Sequence, residues 1–467
     1  MPARDLPARP NLEQYKKQAK DLLKSWKSAD PRMERKLADA QHTIARDHGF
    51  DTWKAFTGEI ARRTGAAEKA AIWKSAEDAV VAGDAATLDR LLRAHEKMLR
   101  KERPQSSWLG GLTPDYSKGD ARAIIAREQY FDSWDQFADF RTQLYEASSP
   151  VARFERTADA IVAGDAGTLA DLLRQHPDLI RARSARRHHS TLLHYVGANG
   201  IESWRQRTPE NAVEIARILL DAGADVEAGA DNYGTGCTTL GLTATSIHPK
   251  NAGVLRPLID LLLERGARIE APGAGNEHAL VNGCLANGRA EAAEYLATKG
   301  APLDLEGAAG VGRLDLVKSF FNADGTLGAT ATVKKMYDGF NWACEYGRTE
   351  IVEYLLDHGV DVNASTGRHT QIGLHWAAYG GHLDIVKALL KRAPKLDARD
   401  AAFGATPLGW AMHGWWEWRE QPAQQREPYY EIVALLVAAG APVEREWLTE
   451  EHRREDPRLF AALRGSA

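Results

Sequence analysis

GLHWAAYGGHLDIVKALLKRAPKLDARDAAFGATPL, from Gly373 to Leu408, is the stretch whose reading decides the fold. A run of apolar and small residues, Leu374 to Ala378, leads into Gly380-Gly381-His382. A helical run follows, apolar at Leu383, Ile385, Val386, Leu389 and Leu390. A loop containing Pro394, Asp397, Asp400 and Gly404 closes the unit. Two short antiparallel helices and an extended finger fit this length, which is about one repeat of a solenoid.

The pattern recurs. With His375 as marker, equivalents fall at His194, Gly241, Asn282, Glu306, Asn341, His375 and Gly409, spaced by 47, 41, 24, 35, 34 and 34 residues. The unit resembles the ankyrin repeat, whose framework reads T-P-L-H-x-A-A-x-x-G-H-x-x-[IV]-V-x-x-L-L followed by G-A-D-V-N. The resemblance covers Leu192 to Val443 and, more weakly, the part before it. It implies an all-α solenoid: an ankyrin stack with short fingers, a helical N-terminal extension and a C-terminal cap helix, of a bacterial type with a duplicated N-terminal region. In that family the marker histidine bonds to the finger backbone, so His194 and His375 are read as structural. At Gly241 and Gly409 a neighbouring loop must take over that tie. The 24-residue step predicts that the finger before Glu306 is missing.

Upstream, HTIARDHGFDTWKAF (His42 to Phe56) returns as AIIAREQYFDSWDQF (Ala123 to Phe137), offset by 81 residues. DAVVAGDAATLDRLLRAH (Asp78 to His95) returns as DAIVAGDAGTLADLLRQH (Asp159 to His176) at the same offset. One offset for two segments marks a tandem unit. Trp53 and Trp134 are read as packing anchors, and the second segment as a degenerate ankyrin helix pair without its finger. The expected divisions are 1–66, an N-terminal helical region with an amphipathic helix over 11–30; 67–185, the duplicated unit; 186–446, the repeat array; and 447–467, the cap. Arg186-Arg187-His188-His189 reads as a solvated finger tip.

Composition narrows the function classes. A formal charge of −4 across 467 residues gives no electrostatic signature for nucleic acid or an anionic membrane. The first 65 residues carry 14 basic and 9 acidic residues without aromatic interleaving, so a solvated helical face explains them. No apolar run approaches the roughly 20 residues that span a bilayer, and no apolar leader follows Met1. Three cysteines make no disulfide framework, and Cys284 and Cys344 fall where the repeat wants a small residue. The expectation is a soluble, cytoplasmic protein. GAGNEHAL and GAAGVGR lack the ending of a phosphate loop, and no metal-site spacing is present, so no cofactor and no metal are expected.

Departures from the framework point to function. Three repeats carry insertions between their helices, at 201–211, 247–256 and 413–430, the last containing HGWWEWREQPAQQREPYY. Ankyrin proteins usually recognise ligands with finger tips and with the two residues before the turn glycine, which include Asn199, Ser246, Asn287, Glu345, Tyr346, Tyr379 and His413 here. The insertions add Trp204, Arg205, Arg207, His248, Trp415, Trp416 and Trp418 as candidate contacts. Two function classes remain. The favoured one is a non-enzymatic scaffold that binds a protein or peptide partner through its concave face. The other is a small-molecule or catalytic pocket built by the three insertions. There His248 or His413 would carry protons, Glu345 and Tyr346 would lie nearby, and Arg205 or Arg207 would hold an anion.

Overall fold

The computed structural model describes residues 6–7, 10–29, 35–95, 99, 121–234, 236–270, 279–365, 370–417, 425–449 and 456–465. Among these residues the chain is helical, with no strand; only four isolated antiparallel bridges occur, each at a finger. Two compact units divide at Tyr145 and Glu146.

The first unit holds α1 (Leu12–Ala29), α2 (Leu37–Asp47), α3 (Trp53–Ala82), α4 (Ala85–Ala94), α5 (Ala121–Glu128) and α6 (Trp134–Tyr145). Tyr15, Ile44, Phe56 and Ile60 form a small core, with Trp53 packed on Phe56. Trp134 packs on Phe137 in the same way. The two copies differ in one place. Helix α3 runs unbroken across the division expected at 66/67. In the second copy the Ser149 hydroxyl caps the Ala152 amide and Pro150 opens a new helix, so the chain breaks between α6 and α7 (Pro150–Ala163). Glu68 and Lys69 stand at the equivalent places in the sequence of α3.

The second unit continues with α8 (Ala166–Gln175), α9 (His194–Gly197), α10 (Ala212–Asp221), α11 (Thr239–Thr245), α12 (His248–Asn251) and α13 (Leu255–Glu264). Then follow α14 (Leu280–Ala286), α15 (Ala290–Thr298), α16 (Leu305–Gly310), α17 (Leu314–Ser319), α18 (Val333–Glu345) and α19 (Thr349–Asp357). The last are α20 (Gly373–Tyr379), α21 (Leu383–Leu390), α22 (Pro407–Glu417), α23 (Glu427–Ala438) and α24 (Pro457–Leu463). Inner helices α9, α11, α14, α16, α18, α20 and α22 stack in sequence, and α7–α8 add an eighth helix pair at the start. That pair does have a finger: Arg183 bridges Thr191. Its Gly-Asp turn is as expected, with Gly164 left-handed and Asp165 capping the Thr168 amide. At the other end Leu459, Ala462 and Leu463 of α24 close the core. Pro457 starts this helix after an Asp456 cap.

The marker histidines act as ties. His375 Nδ1 accepts from the Ile372 amide at 3.2 Å, and Nε2–H donates to the Ala398 and Ala405 carbonyls at 3.2 and 3.3 Å. His194 does the same with Thr191 and the Cys237 carbonyl. Burial pushes the His194 pKa down to about 4, so the neutral ring makes these bonds. In the seventh repeat, where Gly409 holds the marker position, the neighbouring Trp410 indole donates instead to Asp400 of the preceding finger at 3.0 Å. Between α15 and α16 the finger is indeed missing, and Asp304 caps the Gly307 amide directly. His375→Ala takes a partner from the Ile372 amide and the Ala398 carbonyl, while the Ala405 carbonyl keeps the Asp400 amide, so unfolding in urea should show a loss of about 1–3 kcal/mol. An unchanged midpoint would remove the histidine from the architecture.

Helix turns are equally specified. At Gly347, φ is +75°, and a Cβ would lie 2.8 Å from the His382 ring. In the seventh repeat Trp415 stands where that glycine belongs, so α22 runs on to Glu417 and Trp415 packs into the core. Helix continuation is the physical origin of the third insertion.

Candidate functional site

The inner helices place one residue per repeat at each position of the concave face. One place after the marker stand Trp342, Trp376 and Trp410, at 34-residue intervals. Four places after it stand Glu345, Tyr379 and His413. The rings form two groups, one on repeat five and one spanning repeats six and seven. Trp342 stacks on Tyr346 (6.1 Å between centroids), Trp376 meets Trp410 edge-on (4.9 Å), and Tyr379 stacks on His413 (5.9 Å). Trp342 and Trp376 are half-buried, Trp410 is buried, and Phe403 stands exposed on the adjacent finger, 6.2 Å from the Trp410 ring. Sequence reading passed over this column. Its signal was the same 34-residue period that located the histidines.

Polar ties hold these rings. The Trp342 indole donates to Glu306 (2.9 Å), the Tyr379 hydroxyl to Glu417 (2.6 Å) and the Tyr429 hydroxyl to the Tyr379 carbonyl (2.6 Å). Helix α16 presents Gly307 and Gly310 here, and a Cβ on Gly310 would collide with Leu285. With so little side chain between repeats three and five, Tyr346 reaches across and donates to the Leu285 carbonyl (2.5 Å). Glu345 beside it is half-buried, and burial pushes its carboxyl up to about 7.

The earlier repeats give this face a hydroxyl- and amide-lined stretch. Tyr233 donates to Asn199 (2.7 Å), and Asn199 donates to the Thr245 hydroxyl (2.9 Å). Ser246 is buried and caps the His248 amide, so it serves the turn. His248 is half-buried, its pKa lowered by burial and then by Arg289. Asn287 is exposed and bonds back to its own helix at the Gly283 carbonyl.

The insertions do not build one pocket. The first and second belong to repeats one and two and the third to repeat seven; at about 8–10 Å per packed helix, five steps separate the second from the third. Arg205 is buried and bonded to Glu155 (2.6 Å), Asp159 (2.6 Å) and Glu202 (3.4 Å), so it holds no external anion. Arg186 and His188, expected at a solvated tip, are buried beside the same carboxylates, Arg186 at 3.2 Å from Glu155 and 2.5 Å from Glu202. The Arg186 guanidinium also lies over the Trp204 ring, which remains partly exposed, whereas Arg207 is exposed. Of the four catalytic candidates, Glu345 and Tyr346 are neighbours, while His248 and His413, the proton carriers, stand on other repeats. His413 is exposed and pairs with Glu417 at 3.4 Å. Trp415, Trp416 and His413 do border a cavity of about 270 Å³ against α24, with Trp447 and Asp456 opposite. Trp418 lies outside the described residues.

Stacked helix pairs joined by fingers define a repeat protein. Residues 305–400 and 340–446 match the family model for ankyrin repeats (3 copies). Over that stretch the chain carries ankyrin repeats, and such repeats are generally protein–protein interaction modules. It is similar to 26S proteasome non-ATPase regulatory subunit 10 of Rattus norvegicus, 48% identical over 52 residues. That match spans 11% of this chain and 22% of the rat protein. Among the described residues no helix is long and apolar enough to cross a membrane.

Proposed function

We propose that the concave face of repeats five to seven binds a protein or peptide partner. The observation that carries this reading is the tryptophan column Trp342, Trp376 and Trp410, repeated at 34 residues and lying beside Tyr346, Tyr379 and His413. Trp342 and Trp376 pack on the core with one side and remain half-exposed on the inner face, and binding energy concentrates on aromatic anchors of this kind. The polar stretch of Asn199, His248 and Asn287 extends the same face and suits the rim of an interface. The fold needs no catalytic role here, since the proton-carrying candidates do not converge. Three free cysteines, two of them buried, fit a reducing, cytoplasmic setting.

Trp376→Ala tests the reading. A partner captured by the wild-type protein, identified and then titrated, should bind this variant at least about 30-fold more weakly, the effect of one interface hot spot. Undiminished affinity in a variant with unchanged circular dichroism would move the interface elsewhere.

A further inference from the structure

Among the described residues Glu345 is a carboxylate without a counter-charge. Its Oε2 is closed off from solvent and meets no hydrogen-bond donor. Other enclosed carboxylates of the stack are matched: Glu155 and Glu202 by Arg186 and Arg205, Asp304 by Lys335, Glu306 by the Trp342 indole, and Asp400 by Trp410 and three backbone amides.

The groups around Glu345 are committed elsewhere. The Tyr346 hydroxyl lies beside the carboxyl and lowers its pKa in part, yet it also serves the Leu285 carbonyl and brings no charge. From the neighbouring repeat His382 sends Nε2–H to the Glu345 backbone carbonyl at 2.7 Å, not to its carboxyl. Arg348 is held by Glu294 and the Gly310 carbonyl. Arg289 acts on the Tyr346 hydroxyl and not on the Glu345 carboxyl. Tyr379 faces Glu345 from α20, and its hydroxyl is bonded to Glu417. A carboxylate walled by aromatic rings is incomplete by itself, and a cation completes it through both the charge and the ring faces.

We propose that Glu345 is the socket for a lysine or arginine side chain on an extended segment of the partner protein, with Tyr346 and Tyr379 as walls and Trp342 and Trp376 alongside. This rests on the concave-face reading and names the chemistry of its partner. The cation supplies the charge that the fold withholds, and the high carboxyl pKa records the missing partner. Binding therefore expels the proton, and affinity for such a segment should rise about tenfold from pH 6 to pH 8.

The test is selection of displayed random 12-residue peptides on the full chain, followed by titration against Glu345→Gln and Trp376→Ala. Glu345→Gln removes an uncompensated charge and should fold at least as well. The expected result is a shared lysine or arginine in the selected peptides, with at least tenfold weaker binding to Glu345→Gln and no pH dependence left in that variant. Basic peptides that bind Glu345→Gln equally overturn the socket. Peptides without a shared basic residue, yet lost with Trp376→Ala, overturn the socket and leave the concave-face reading standing. No selection, or peptides indifferent to Trp376→Ala, removes both.

Discussion

Arg205→Ala should cost the repeat stack about 3–5 kcal/mol, read as a fall in the urea midpoint of its unfolding. The magnitude follows from what the side chain leaves behind. Burial opposes the guanidinium's charge, and Glu155 and Glu202 more than offset that, raising its pKa above the ordinary value. Glu202 is fully buried; burial would raise its pKa, but Arg186, His188 and Arg205 hold it well below the usual range. Removing Arg205 strips Glu155 of its 2.6 Å partner and returns part of that burial cost. The pair Glu155→Gln with Arg205→Met should recover much of the loss, because it removes the uncompensated charge and keeps the volume. A loss under about 1 kcal/mol in the single variant would make the network an ornament of the fold.

That network also shows where sequence reading stops. The 201–211 insertion was legible as extra length between two helices, and so was its basic content. Whether Arg205 faced solvent or core depended on Glu155, 50 residues upstream on a helix that the repeat framework does not describe. Periodicity cannot report such a pair, and the default for arginine is exposure. The Gly-Asp turns, the missing finger before Glu306 and the histidine ties could be read because each depends on residues close in sequence or fixed by the repeat. Tryptophan density drew attention to 415–418, although Trp415 is buried because the turn glycine is absent. The column of Trp342, Trp376 and Trp410 is less dense in sequence and more regular in space. Regularity was the better guide.

Glu345→Gln should stabilise the protein increasingly as the pH rises above 4.5, reaching about 3 kcal/mol above neutral pH. The folded carboxyl is pushed up to about 7 by burial, against an ordinary value of 4.5. Below pH 4.5 the group is protonated in both folded and unfolded chains and costs nothing. Between 4.5 and 7 the unfolded chain loses the proton while the folded chain keeps it, so wild-type stability falls as pH rises. Above 7 the penalty is complete, and the glutamine variant never incurs it. Thermal unfolding of both proteins from pH 4 to pH 8.5 should give curves that meet at the acid end and separate at the alkaline end. Curves that stay parallel would mean that Glu345 has a counter-charge in the folded protein. A binding partner that brings a cation should close the gap at pH 8, because it stabilises the wild type and not the variant. A residue kept at a cost to the free fold, and relieved by a ligand, is what a binding site predicts of its own carboxylate.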